Sequence, residues 1–386
     1  MTSTRGSKPV AADRIATLTQ REENVFKAAR QKSLELMHRA ELHSPGGVPS
    51  SFQSSPPFPI FIERGQGSLI WDADGNEYVD FHNGFGVNVV GHAHPRIVEA
   101  VSQRISEGSH FAQPGEDFIV VAEELANRFG LPQWRFTNSG TESTLDAVRL
   151  ARAFTGRDGI MKIEASYHGH HDSLMVSVEP SPEKMGPAGS PHAVPQSEGI
   201  PKAVVDLVTV VPFNDLAATE AGFQRHPGQI ACIIVEPTMM NVGIVLPETG
   251  YLAGLKELAH RYGALLAFDE VKTGVTLAPG GATGRFGVTP DIVCLAKAIG
   301  GGLPCGAVGG REDIMNLISE GRVSQMGTFN GNALTMAASR ATLIEILTPM
   351  AYSHFDALGE ILQGGLDQVI SEHELPFKAI TIGARG

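Results

Sequence analysis

The chain has 386 residues, 42% of them hydrophobic and 19% charged, with a formal net charge of −12. That is material for two or three globular domains. The acidic balance excludes a groove that tracks nucleic-acid phosphates, and apolar runs such as 230–235 are strand-sized, too short to cross a bilayer.

Met1 to Gln20 is polar and mixed in charge, without the apolar stretch of a secretory signal. Residues 12–44 place Val25, Ala28, Ala29, Leu34 and Leu36 at roughly helical spacing and predict one helix, stopped by Ser44-Pro45-Gly46-Gly47. Residues 48–58 read as loop. From Phe58 to Phe81 apolar and polar residues alternate around Gly65-Gln66-Gly67 and Asp74-Gly75, which predicts a small antiparallel meander.

From about residue 95 helical stretches alternate with short apolar runs. Helices are expected at 95–108, 116–129, 141–155, 250–262 and 332–347. Strands are expected at 133–137, 159–163, 207–211, 230–235, 264–268, 291–295 and 306–309. This alternation predicts an α/β domain with a mainly parallel sheet. The Pro-, Ser- and Gly-rich segment 178–201 is an excursion from it. After 348 a second helix-rich segment begins. A strand is expected at Phe377 to Ile382; it has no later partner, so the chain looks unfinished at Gly386. Cys232, Cys294 and Cys305 read as small core residues of a reducing, cytoplasmic compartment; a disulfide framework or metal site does not fit their odd number.

In open α/β sheets ligands bind beyond the carboxyl ends of the strands. After 133–137 comes Asn138-Ser139-Gly140-Thr141-Glu142, a small polar turn feeding a helix, which suits a phosphate or serves as an ordinary cap. After 264–268 comes Asp269, a carboxylate costly to bury without a cation; a protonated pyridine nitrogen is one such partner, and a capping or magnesium-binding role is the alternative. After 291–295 comes Lys297, followed by Gly300-Gly301-Gly302. Desolvation makes such an amine nucleophilic, while a snorkelling surface lysine is the plain alternative. Tyr167-His168-Gly169 follows 159–163, Glu236 ends 230–235 with Asn241 five residues on, and Gly327-Thr328 precedes a helix. Phosphate turn, carboxylate and lysine together are what pyridoxal 5′-phosphate requires. No Gly-x-x-x-x-Gly-Lys-Ser/Thr and no strand-linked Gly-x-Gly-x-x-Gly supports a nucleotide site.

These residues, with Phe268-Asp269-Glu270-Val271 and Gly327-Thr328-Phe329-Asn330, resemble the class III aminotransferases, pyridoxal-phosphate enzymes of fold type I. Ile70-Trp71-Asp72-Ala73-Asp74-Gly75, Gly91-His92-Ala93-His94-Pro95, Tyr167-His168-Gly169-His170 and Val211-Pro212-Phe213-Asn214-Asp215 resemble the branch of glutamate-1-semialdehyde 2,1-aminomutase and its β-amino-acid aminotransferase relatives.

The resemblance implies a small domain begun by 1–90, a cofactor-binding domain over 91–333, and an incomplete return to the small domain over 334–386. It implies that Lys297 carries the cofactor as a Schiff base and shuttles a proton, and that Asp269 pairs with the pyridine nitrogen. Val271 and Tyr167 flank the ring, with His168 beside them. Ser139, Gly140 and Thr141 hold the phosphate, and Asn241 and Glu236 lie toward the ring hydroxyl. Gly327 and Thr328 bind the cofactor, with Thr328 reaching that of the neighbouring subunit in a homodimer. Val48 to Gln53 lacks the arginine of carboxylate-binding members, Phe85 stands where the aminomutase has tryptophan, and Ser324 where it has tyrosine. A pocket of Ser50, Phe52, Phe85 and Ser324, remodelled toward a more apolar amine or amino acid, is therefore expected. The implied function is amino transfer between a donor and a keto acid or aldehyde; intramolecular transfer by an aminomutase and a non-catalytic cofactor-binding scaffold are the alternatives.

Overall fold

The computed structural model describes residues 11–386, so the first ten residues of the expected 1–90 segment lie outside the described residues. The chain separates into two compact units. Of the described residues, the smaller comprises 11–83 with Gly91–His94 and His373–Phe377, and the larger holds the rest.

In the smaller unit the helix expected over 12–44 is two helices, Ala12–Ala28 and Gln31–Glu41. The break is at Arg30 (φ −139°), whose guanidinium donates to the Phe26 carbonyl (3.2 Å) and to the Tyr78 hydroxyl (2.9 Å). The second helix has no local cap. The Asp74 carboxylate, distant in sequence, accepts from the N–H groups of Lys32 (2.6 Å) and Ser33 (2.9 Å). The meander forms as expected from β1 (Ile62–Gln66), β2 (Leu69–Asp72) and β3 (Glu77–Val79), all antiparallel.

The larger unit is built on β4 (Gln133–Thr137), β5 (Gly159–Ile163), β6 (Val208–Val211), β7 (Ile230–Val235), β8 (Leu265–Asp269), β9 (Ile292–Ala296) and β10 (Gly306–Gly310). Their order is β4-β10-β9-β8-β7-β5-β6, and only β10 runs against its neighbours. This is the α/β architecture of fold type I. The central strands are apolar on both faces because helices cover both. Ile233, Val235, Leu266, Phe268, Val293 and Leu295 enter one core cluster, while Cys232, Ile234, Leu265, Ala267, Ile292 and Cys294 alternate into the other. All three cysteines are buried and free; burial pushes the Cys232 and Cys305 thiols up to about 12.

Besides short turns of helix, two helices of eight residues or more lie outside the expected set: Leu216–Arg225, capped by the Asp215 carboxylate accepting from Ala218 N–H (2.8 Å), and Glu312–Ser319. The helix expected at 332–347 is α-helical over Ala333–Arg340 and then widens into a π turn over Ala341–Ile346. The strand expected at Phe377–Ile382 does not form. Phe377 is exposed, the chain turns at Gly383 (φ +55°), and a single bridge joins Ile382 to Arg385. Its apolar residues are used locally instead: Ile382 packs with Ile244, Leu277 and Ala282.

Candidate active site

Since β4, β5, β7, β8 and β9 run in one direction, the residues that follow them emerge along one edge of the sheet. Asp269 is the last residue of β8 and only 4% exposed. One of its oxygens accepts from Val271 N–H (3.0 Å), and the other lies 2.7 Å from His168 Nδ1. A carboxylate can only accept, so His168 presents its Nδ1–H to it. The opposite nitrogen, Nε2, is buried without a hydrogen-bond partner. The His168 carbonyl accepts from the Thr144 hydroxyl (2.6 Å), which fixes the ring's backbone.

Lys297 follows β9 and opens the 3-10 turn Lys297–Gly300. Its φ is +52°, a left-handed conformation unusual for a side-chain-bearing residue. Burial lowers its ammonium to about 8; Asp269 opposes the shift, and the charges of Lys272 and Arg385 add to it. Asp269 acts here through space, since its bonds go to Val271 and His168.

The turn after β4 is a reciprocal cap. The Ser139 hydroxyl accepts from Glu142 N–H (3.2 Å), and the Glu142 carboxylate accepts from Asn138 N–H (2.5 Å). It opens the helix Gly140–Thr155, whose first-turn N–H groups have no helical partners. Gly140 is required by packing: a Cβ there would lie 2.9 Å from both methyl carbons of Val271. The Thr141 hydroxyl lies 3.1 Å from His170 Nδ1, and Gly169 (φ +91°) lets that segment pass close to Thr141.

Glu236, after β7, is buried and accepts from Tyr167 N–H (3.0 Å), Met240 N–H (3.1 Å) and the Asn241 amide (2.9 and 3.0 Å). Tyr167 is half-buried, and burial together with the Asp269 charge raises its hydroxyl. Lys162 in β5 is fully buried and donates to the carbonyls of Ser166 (2.9 Å) and Val176 (2.5 Å), pinning the loop that bears Tyr167 and His168.

Ser139, Gly140, Thr141, Tyr167, His168, Glu236, Asn241, Asp269, Val271 and Lys297 therefore gather at one sheet edge. Gly327 and Thr328 are exposed; their segment is tied to the turn after β4 through Asn330, which accepts from the Asn138 amide (2.8 Å). Phe85 belongs to the same unit, at φ +60° beside Gly86. Ser324 is exposed, and its carbonyl accepts from Arg149 (2.9 Å). Ser50 and Phe52 belong to the smaller unit, before and in the turn Ser51–Gln53.

Sequence reading missed the charges around Lys297. Lys272 lies three residues past Asp269, just outside the Phe268-Asp269-Glu270-Val271 motif. Arg385 lies in the segment read toward an unpaired strand. Its guanidinium donates to the carbonyls of Gly86 (2.9 Å) and Lys272 (3.0 Å) and to the Thr276 hydroxyl (3.3 Å). Glu270 was missed as well. It is fully buried and accepts from Ala282 and Thr283 N–H and from the Thr273 and Thr283 hydroxyls, and burial raises it to about 7.

The family model for aminotransferase class-III matches residues 51–381. The chain belongs to the class-III aminotransferases. Glutamate-1-semialdehyde 2,1-aminomutase 1 of Staphylococcus epidermidis is 40% identical over 361 residues, covering 92% of this chain and 82% of the relative. The aminomutase of Methanothermobacter thermautotrophicus is 44% identical over 349 residues, covering 90% and 81%. Among solved structures, an omega-transaminase from Sphaerobacter thermophilus has a TM-score of 0.88 at 39% identity, over 91% of this chain and 81% of that one. A glutamate-1-semialdehyde aminomutase from Pseudomonas aeruginosa has 0.87 at 33%, over 97% and 83%. As a class-III aminotransferase the chain is an enzyme, and its cofactor is pyridoxal 5′-phosphate.

Proposed function

We propose that this class-III aminotransferase moves an amino group between an amine or amino-acid donor and a keto-acid or aldehyde acceptor, one substrate after the other. The observation that carries this is Asp269: a buried carboxylate at the end of β8, aimed and held by His168, with the Lys297 amine within reach of its field. The residues suit the cofactor. Asp269 is an acidic partner for a ring nitrogen, Gly140 packs closely on Val271, and the helix start at Gly140 favours a phosphate. When bound, pyridoxal phosphate supplies the electron sink that stabilises charge released at the substrate carbon.

The protein's own part is to bind, orient and move a proton. Lys297 holds the cofactor and, as a neutral amine, takes and returns the proton of the substrate carbon. Asp269 keeps the ring nitrogen protonated, and His168 keeps Asp269 in place. Ser139, Gly140 and Thr141 receive the phosphate. Val271 and Tyr167 would flank the ring, and Asn241, fixed by Glu236, would serve the side of the ring hydroxyl. The larger unit, which also holds 334–372 and 378–386, carries the cofactor. Thr328, beside Gly327, serves the cofactor of a second copy of the chain in a homodimer, which agrees with the exposure of both. Buried free cysteines agree with a cytoplasmic setting, and no helix among the described residues is long and apolar enough to cross a membrane.

Holoenzyme given amine or amino-acid donors with pyruvate or 2-oxoglutarate should form the new amino acid and the donor's carbonyl product. The aminomutase reading rests on the names of the relatives, and glutamate 1-semialdehyde supplied alone decides it. Formation of 5-aminolevulinate without a second substrate would replace the transaminase reading.

A further inference from the structure

The charges beside Lys297 do not balance. Lys272, Lys297 and Arg385 lie within each other's fields, and the acids acting on them are Asp269 and Glu236. Asp269 is committed to His168 and the cofactor nitrogen, and Glu236 to Tyr167, Met240 and Asn241. The surplus is positive, and Arg385 is its least compensated member. Its three hydrogen bonds all go to uncharged acceptors, the carbonyls of Gly86 and Lys272 and the hydroxyl of Thr276. Its Nη1 has no hydrogen-bond partner among the described residues. Burial alone lowers the guanidinium to about 10. Arg385 is half-buried, and a guanidinium partly withdrawn from water without a carboxylate favours an anionic ligand that completes it.

The surroundings are built to admit this guanidinium. Gly86, with φ +81°, is the residue against which it lies; a Cβ there would collide with Nη1 and the central carbon. Thr276 belongs to the short helix Gly274–Leu277, which packs on the turn bearing Lys297. Ala384 N–H donates to the Thr276 carbonyl (2.9 Å), and Gly383 packs against Leu277, so the backbone carrying Arg385 is fixed on both sides.

We propose that Arg385 is the carboxylate anchor of the substrate pocket, so that the donor is an amino acid in preference to a simple amine. This rests on the reading of Lys297 as the amine that holds the cofactor. It reverses the more apolar pocket expected from Val48 to Gln53: the arginine missing from that loop is supplied from the opposite end of the chain. Arginine grips a carboxylate through two parallel bonds, and neither serine nor glutamine in the loop replaces that.

The test compares donors that differ only by a carboxyl group, alanine against ethylamine and 3-aminobutanoate against isopropylamine. Conversion is followed in single half-reactions with the holoenzyme. Wild type should prefer the amino acids. Arg385→Gln should lower kcat/KM for them by about a hundredfold, mainly through KM, the scale of a lost charge-assisted contact. Its rates with the amines should change far less, by what the loss of one charge near Lys297 costs, and Arg385→Lys should recover part of the loss with the amino acids. In wild type, propanoate should compete with isopropylamine. Equal losses on both donor types would make Arg385 only a structural tie between three segments, and absence of both an effect and competition would remove it from the pocket; either result overturns the proposal. Failure of the underlying reading looks different: borohydride reduction of the wild-type holoenzyme would then leave no cofactor mass on the Lys297 peptide.

Discussion

Lys297 combines a left-handed backbone with an ammonium lowered to about 8 by burial, with neighbouring charges adding to the shift. The sign of the pH effect follows. A lysine whose folded value is depressed is a burden while protonated, and this burden is relieved as pH rises through about 8 toward the unfolded value of 10.5. The rate at which apoenzyme captures pyridoxal phosphate should therefore rise with pH and level off above about 8. A flat profile from pH 6 to 10, in stopped-flow absorbance, would contradict this. Lys297→Ala should abolish turnover and the visible absorbance of the lysine-bound cofactor while the far-ultraviolet circular dichroism stays near wild type. Asp269→Asn should cut turnover by orders of magnitude, because the ring nitrogen loses its ionic partner. His168→Phe removes a hydrogen bond to that same carboxylate and should cost about tenfold. At this scale much of the site was legible. Lys297, Asp269 and the Ser139 turn stand immediately after apolar strands, and strand ends are where α/β sheets put their ligands. Arg385 was not legible, because its importance comes from Gly86 and Thr276, far from it in sequence.

At the scale of elements, the strands were read to within a residue or so because their apolar runs are buried on both faces. Phe268 is fully buried in β8 directly before Asp269, and Phe268→Ala should destabilise the protein by about 3–5 kcal/mol in urea unfolding. The contact between Gly140 and Val271 is more specific. Gly140→Ala forces Val271 toward the ring and should weaken cofactor binding by about tenfold with little loss of thermal stability. Titration of the apoenzyme distinguishes this from a general packing defect, which would lower both. Elements that sequence misplaced share a cause. The helix break at Arg30 is made by Tyr78 from another element, and the helix after it is capped by Asp74. Phe377 to Ile382 looks like a strand by composition, yet Ile382 finds its partners in side chains and not in a sheet edge.

For the whole molecule, the exposed segment around Thr328 is apolar: Met326 is 85% exposed and Phe329 58%. A second copy of the chain is the occupant proposed above. Sedimentation should give a dimer. Thr328→Ala should lower cofactor affinity without changing that mass, and Phe329→Asp should shift the mass toward the monomer. A monomeric holoenzyme with full activity would remove Thr328 from the cofactor's contacts.

The sequence by itself determined the order of strands and helices, the family, and the residues at the strand ends. Those properties are local: burial of an apolar run and the polar residue that terminates it can be read from neighbours in the chain. Tertiary structure decided the rest. It set His168 against Asp269, required a glycine at position 140 beside Val271, and brought the Arg385 guanidinium onto the carbonyls of Gly86 and Lys272. Each depends on the distance between groups far apart in sequence and on how deeply they are buried, which only the folded chain sets.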